Sequence, residues 1–380
     1  MSSPVIKELF GELEASLERS SRNRPFFDGA PVLIYGAGNV GKDVFHLLTT
    51  RGVPVLGFLD RSASPGRAWQ GVPVWQPEDA AALALQRNGC HVIIGIFNRD
   101  VEIPPIVAML GSLGYGRVST FLDLHDHLSM GLGDRFWLTS RSYYVGLEPM
   151  VAKAFDLWSD EASRALYAAV LRFRFTKDHA ALPKLNLGPQ YFPPDLPAWP
   201  APLRFVDCGA FDGDTLKQLA RTGLNVAAVA AFEPERANFV KLAEHVRTQR
   251  ASLPAEVFLF PCGVHSSTEQ LRFSSGQGSG SHASSTGDVV IQCVSLDEAI
   301  PGFRPNLIKM DIEGAEYAAL WGARQTLAEH RPGLAICLYH RPEHLWQIPL
   351  LVRELCGEGR FYLRAHGFNG FELVLYWLPG

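Results

Sequence analysis

Residues 205–219 read FVDCGAFDGDTLKQL: an apolar run, a turn holding Gly209 and Gly213, and a stretch with helical spacing. Strand, tight turn and helix in that order form the opening unit of a nucleotide-binding α/β sheet. This turn is acidic. Asp207, Asp212 and Asp214 surround its glycines, and three carboxylates repel a pyrophosphate at short range. They suit a ligand bearing an ammonium or sulfonium group, whose own carboxylate can take the N–H groups of a helix N-terminus. The next strand ends AAFEPE and puts Glu233 where a carboxylate can accept hydrogen bonds from both ribose hydroxyls. The alternative is that the acids cap the helix beginning near Thr215, which accounts for one acid but not for four.

The α/β rhythm continues on both sides of this unit. Downstream, EVFLFPCGV, NLIKMDI, GLAICLYH, FYLRA and FELVLYWL are strand candidates, the last two joined by GFNG as an antiparallel hairpin. Upstream, VLIYGAGNVGKDV (32–44) is a second glycine turn, with Gly36, Gly38 and Gly41, and Asp60 follows nineteen residues later. That spacing predicts a dinucleotide-binding turn formed by Gly36, Gly38, Asn39, Gly41 and Asp60. Continuous apolar strands separated by helices predict parallel sheets covered on both faces. The expected organisation is an amphipathic helix over 1–28, a Rossmann-like domain over 29–125, a helical connector and proline-rich linker over 126–202, and a second Rossmann-like domain over 203–380. In the N-terminal helix Ile6, Phe10, Leu13 and Leu17 recur at helical spacing. The connector helix is expected to start from a cap at Ser159.

The 380 residues are 47% hydrophobic and 19% charged, with a net charge of −4. That composition fits globular domains and gives no electrostatic support for a nucleic-acid partner. Six scattered cysteines without a CxxC pair argue for a reducing compartment and against zinc. No apolar run is long enough to span a bilayer, so a cytoplasmic protein is expected, its oligomeric state open.

FVDCGAFDGDT, AFEPE and above all LIKMDIEGAEYAALWGA (307–323) resemble the FkbM-type family of S-adenosylmethionine-dependent methyltransferases. The resemblance extends to DEASRALY, GPQYFPPDL and LYHRPEHLWQIP and covers about residues 155–380. It implies a class I methyltransferase fold for the C-terminal domain, a mostly parallel sheet with an antiparallel last strand, and methyl transfer to a hydroxyl of a sugar, glycan or related polar metabolite. S-adenosylmethionine is the expected cofactor, held by Asp207, Gly209, Ala210, Asp212, Gly213, Asp214, Thr215, Glu233, Pro234 and Gly263. One departure stands out: His344 occupies the place where the family more usually shows Asp before Leu-Trp.

For the chemistry, Asp311 at the end of the fourth strand is the first candidate base, with Glu313 alongside and His340 as the second candidate. Lys309 offers Asp311 an alternative role as half of a structural ion pair. No metal is expected, because His340 and His344 lack an HExxH-like pattern. The Gly/Ser-rich segment 274–287, with His282, reads as a lid or as a surface loop. Arg172, Arg174 and Lys177, followed by Tyr191 and Phe192, offer a cationic and aromatic site for a sugar phosphate, or simply a solvated helix end. The competing function is an NAD(P)-dependent or nucleotide-sugar-binding protein that uses the N-terminal turn. GAGNVGKDV, GFLDR, GVPVW and HVIIGIFNRD resemble the nucleotide-sugar-binding domains of sugar acyltransferases, so that turn is expected to hold a nucleotide, a nucleotide-linked acceptor or nothing.

Overall fold

The computed structural model describes residues 3–20, 26–87, 89–185, 188–274, 282–283 and 289–380. Two twisted α/β sheets dominate it. The N-terminal sheet contains β1 (Val32–Tyr35), β2 (Val55–Leu59), β3 (Ala68–Trp69), β4 (Val72–Trp75), β5 (His91–Ile94) and β6 (Val118–Thr120). Its order is β3-β4-β2-β1-β5-β6, parallel except for the short β3. Side chains alternate along β1. Val32 and Ile34 face a core shared with the rest of the chain, while Leu33 and Tyr35 face a separate core with Val92, Ile94 and Leu110.

The C-terminal sheet is built from β7 (Leu203–Cys208), β8 (Val226–Phe232), β9 (Glu256–Phe260), β14 (Leu307–Met310), β15 (Gly333–Cys337), β16 (Gly359–Ala365) and β17 (Leu373–Pro379). Between β9 and β14 the chain inserts β10 (Gly263–Val264), β11 (Glu269–Ser274), β12 (His282–Ala283) and β13 (Val289–Val294), which form a separate small sheet. The main order is β16-β17-β15-β14-β7-β8-β9. β17, last in the chain, runs antiparallel to β15 and β16 and lies between them, one place in from the edge. The order reverses direction at β7, so a crevice opens at the carboxyl ends of β7 and β14.

The N-terminal helix Pro4–Ser20 buries Ile6, Leu9, Phe10 and Leu13. Phe10 meets Phe175 of the connector helix Glu161–Thr176 edge to face at 5.2 Å. That connector helix is capped by Asp160, whose Oδ1 accepts from the Ser163 amide at 2.8 Å. Ser159, expected as the cap, instead accepts the Phe361 amide of β16 at 2.9 Å. The shift has a simple cause: a hydroxyl one residue too early reaches a strand edge in place of the helix.

The two sheets meet through the turn between β16 and β17. Asn369, at φ 57°, donates to the carbonyls of Asn98 and Val101 at 2.8 Å each, and its own carbonyl accepts from the Trp137 indole at 3.0 Å. The Phe368 amide bonds the Arg99 carbonyl at 2.9 Å. A turn legible as a hairpin is therefore also the joint that seats the loop after β5 on the C-terminal domain. No helix among the described residues is long and apolar enough to cross a membrane.

Candidate active site

The sequence after β7 must reverse sharply to start the helix Asp214–Thr222, and it does so at Gly209 (φ 82°) and Gly213 (φ 88°). A Cβ on Gly209 would lie 1.9 Å from the Asp311 carbonyl oxygen, so only glycine lets this turn close against the end of β14. The Gly209 and Ala210 amides both bond the Phe232 carbonyl, fixing the turn to the end of β8. Glu233 follows. Its Oε2 accepts from the Phe211 amide and its Oε1 from the Glu235 amide, each at 2.9 Å. Burial pushes its carboxyl up to about 7, against those two donors.

These elements line one pocket that opens to solvent. Gly209, Asp214, Glu233, Pro234 and Gly263 are on its wall, together with Asp311 and Glu313. Asn238 and two apolar side chains of the inserted sheet, Leu271 and Ile291, were not anticipated; a short edge-like insertion gives no strong alternation to read. Ala210 and Thr215 are fully buried behind the turn, and Asp212 pairs with Lys217 at 3.1 Å.

Asp207 takes a different place from the one its sequence position implies. It is fully buried, and its partner across the β7–β14 register is Lys309, whose ammonium lies 3.0 Å from Oδ1. The alternative pairing of Lys309 with Asp311 is not what forms: the parallel β7–β14 register sets Lys309 beside Asp207, and its Nζ also donates to the Gly209 carbonyl at 2.5 Å. Burial works against the Lys309 charge, but Asp207, Asp311 and Asp214 outweigh it and hold the ammonium well above its ordinary value. Burial pushes Asp207 up to about 6 in spite of Lys309.

Asp311 stands at the centre of a polar network. Tyr191 donates to its Oδ2 at 2.8 Å and Tyr339 approaches Oδ1 at 3.4 Å. Burial opposes its charge, but Lys309, His340 and the Tyr191 hydroxyl keep its carboxyl below the ordinary range. His340 is buried at the end of the next strand. Its Nδ1 lies 2.7 Å from Glu316 Oε1, and its Nε2 lies 3.3 Å from Asp311 Oδ1 and 3.4 Å from Glu313 Oε2. Burial disfavours a charged imidazole, yet Glu316 and Glu313 push it up to about 10. Glu316 also accepts the Ile312 and Gly314 amides and has His344 Nδ1 at 3.3 Å. Burial pushes the Glu313 carboxyl up to about 8 although His340 favours its charge.

The N-terminal domain supplies one wall. Arg99, beyond the end of β5, lines the cavity and donates to Glu372 at 2.7 Å. Glu372 in turn accepts from Tyr339 at 3.0 Å and from Gln190 at 2.5 Å. Hydrogen bonds therefore link Arg99, Glu372 and Tyr339, and the single proton of the Tyr339 hydroxyl is shared between Glu372 at 3.0 Å and Asp311 at 3.4 Å as alternative acceptors.

The other predicted residues lie elsewhere. At the first glycine turn, Gly41 packs so closely that a Cβ would lie 1.9 Å from the Gly36 carbonyl oxygen. Asp60 Oδ2 accepts from the Ala37 amide at 3.0 Å, while Oδ1 takes the amide and hydroxyl of Ser62. Gly38 and Asn39 are exposed. The proposed basic cluster does not form an acceptor site. Arg174 is buried with its guanidinium over Trp137 and donates to the Pro342 carbonyl; Lys177 is buried; Arg172 pairs with Glu12 at 3.0 Å. Tyr191 is buried against Asp311, as described, and Phe192 packs near Phe205. Most of segment 274–287 and the His282 side chain lie outside the described residues.

Residues 207–369 match the family model described as the methyltransferase FkbM domain. The chain is also similar in fold to the crystal structure of methyltransferase FkbM from Methylobacillus flagellatus KT, with a TM-score of 0.78 and 21% identity over 99% of each chain. No curated protein matches it.

Proposed function

We propose, from the match of residues 207–369 to the methyltransferase FkbM domain model, that the protein is an S-adenosylmethionine-dependent O-methyltransferase acting on a hydroxyl of a sugar, glycan or related polar metabolite. The observation that carries this reading is the charge of the cavity. Asp214, Glu233, Glu235, Asp311 and Glu313 line it, and of its cations Lys309 is already committed to Asp207 and Arg99 to Glu372. Such a site favours a cationic ligand and disfavours a dinucleotide pyrophosphate.

In this reading Glu233 takes the ribose hydroxyls, Asp214 and Glu235 face the cationic amino-acid end, and Leu271 and Ile291 offer an apolar wall to the base. When bound, S-adenosylmethionine supplies an electrophilic methyl group. The chain's own task is then to hold the acceptor oxygen in line and relieve it of a proton. Asp311, kept ionised, accepts a hydrogen bond from the acceptor hydroxyl and the proton as the new O–C bond forms. The Tyr191 hydroxyl fixes the carboxylate's orientation. Arg99, Tyr339 and Glu313 offer further polar groups near that end of the cavity, which supports an acceptor rich in hydroxyls.

Titration calorimetry with S-adenosylhomocysteine tests the reading. Binding is expected, and Glu233→Ala should weaken it at least tenfold, since each hydrogen bond to a charged group contributes about 1.5–3 kcal/mol. Binding of NAD without S-adenosylhomocysteine would overturn it. Mass spectrometry of a sugar library incubated with S-adenosylmethionine would identify the acceptor.

A further inference from the structure

We propose that Phe136 is the stacking platform of an acceptor subsite, and that what it takes is the C–H face of a pyranose ring. The first observation is the backbone under this phenylalanine. Arg135 and Leu138 exchange both backbone hydrogen bonds, at 3.0 and 2.8 Å, so Phe136 and Trp137 form a two-residue hairpin loop. Phe136 is at φ 52°, while Trp137 is outside the left-handed region. A positive φ at the first loop position alone is the place glycine takes in a type II′ turn, and a bulky aromatic there is strained. Its neighbours hold it in place. Trp137 is fully buried with its indole on the Asn369 carbonyl at 3.0 Å, and Arg135 pairs with Asp43 at 2.8 Å. Burial does not offset the strain, because Phe136 itself is 36% exposed. A strained residue over-determined by its surroundings in this way marks a functional position.

The second observation is what the ring adjoins. Its centroid lies 5.1 Å from that of Phe371, edge to face, and 6.3 Å from each of the Tyr339 and His340 rings. Tyr339 lies on the pocket wall, with its hydroxyl 3.4 Å from Asp311 Oδ1. A half-open aromatic therefore stands one side chain away from the carboxylate at the polar end of the pocket, where Arg99 and Glu313 also line the wall. The ligand that suits this arrangement is apolar on one face and polar around its edge. A pyranose ring has that form. Its axial C–H groups, polarised by the neighbouring oxygens, are drawn to the negative face of an aromatic ring, while its equatorial hydroxyls are left for Arg99, Asp311 and Glu313. An open-chain polyol has the hydroxyls but no such face, and a nucleobase has a face but no such edge. Phe136 and Arg99 both precede residues 207–369, so segments outside the matched domain select the acceptor. That the bound ring is methylated rests on the methyl-transfer reading; the ring site itself does not.

The test is saturation-transfer-difference NMR of the full chain with the methyl α-pyranosides of glucose, mannose and galactose, beside sorbitol and uridine, with no methyl donor present. The expected result is saturable binding of at least one pyranoside, with transfer strongest to its ring C–H protons. Binding should weaken roughly fivefold in Phe136→Gly and stay within about twofold in Phe136→Tyr, which keeps the aromatic face. Glycine adopts the positive φ without strain, and Phe136→Asn, also at ease there, is the second variant; a cooperative thermal melt establishes that each is folded. Equal pyranoside binding by the wild type and these folded variants would overturn the site, since a purely structural role changes the melting temperature alone. So would no pyranoside binding to the wild type, or sorbitol or uridine binding as tightly as the best pyranoside. S-adenosylhomocysteine binding is measured separately by calorimetry. Its absence in the wild type would sink the methyl-transfer reading and leave the ring site standing, so the two fail independently.

Discussion

Arg99 and Glu372 lie 273 residues apart in the chain and meet at 2.7 Å, joining the loop after β5 to the residue that precedes β17. The Arg99 side chain is 43% exposed, whereas that of Glu372 is 5% exposed. The acid therefore depends on its donors more than the base does. Arg99→Ala should cost about 1–2 kcal/mol of stability, the range for a charged hydrogen bond discounted for exposure. Acceptor KM should rise while S-adenosylhomocysteine affinity stays within about twofold, because Glu233 and the glycine turn are untouched. Steady-state kinetics beside calorimetry checks the separation.

Lys309→Met should be more damaging to the fold. It leaves Asp207 fully buried with no cation, and breaking a buried pair typically costs about 3–5 kcal/mol. Adding Asp207→Asn removes the stranded charge and should recover part of the loss. Urea unfolding of the two single variants and the double variant measures the coupling, and simple additivity would mean that the two groups act independently.

Glu233 gives the pH dependence a sign. Its carboxyl is pushed from an ordinary 4.5 up to about 7, so between those values the folded state binds more of a proton than the unfolded one. Its contribution to stability is therefore greatest below about 4.5 and falls as pH rises through about 7, by no more than about 1.4 kcal/mol per pH unit. Ligand binding that uses the carboxylate should run the other way, weakening up to about tenfold per unit below pH 7. Both slopes should flatten in Glu233→Gln, as read by calorimetry and thermal melts across that range.

The two N-terminal glycines separate packing from ligand contact. Gly41→Ala forces a Cβ to within 1.9 Å of a backbone carbonyl oxygen, whereas a Cβ on Gly38 meets nothing within 4 Å. Overpacking of this kind typically costs about 1–3 kcal/mol, so the melting temperature should fall for Gly41→Ala and hardly change for Gly38→Ala. A ligand at this turn would show itself as a loss of nucleotide binding in folded Gly38→Ala.

What could be read from the sequence was local. Both glycine turns, the acids beside them and the apolar strands are encoded within runs of a dozen residues, and the structure places them at strand ends. Partnerships formed across the fold were harder to see. Lys309 alternates towards Asp207 because the β7–β14 register sets them side by side, and no spacing within β14 reveals a register. Glu316 has no partner within its own stretch of sequence, because only the fold brings His340 and His344 to it. Arg174 does carry a local signal of burial: it falls three and four residues after Leu171 and Val170, on the buried stripe of its helix. The interdomain wall at Arg99 had no signal within either domain.

The loop seated by Asn369 also bears on how this protein could be taken apart. A fragment cut to residues 207–369 would retain the glycine turn, Glu233 and Asp311, but would stop before β17 and Glu372, and would lack the arginine that meets that acid. β15 would then present a bare hydrogen-bonding edge where β17 had lain, a template for association between copies. Any minimal, portable version of this protein must therefore carry its first hundred residues and its last strand, or have both surfaces redesigned.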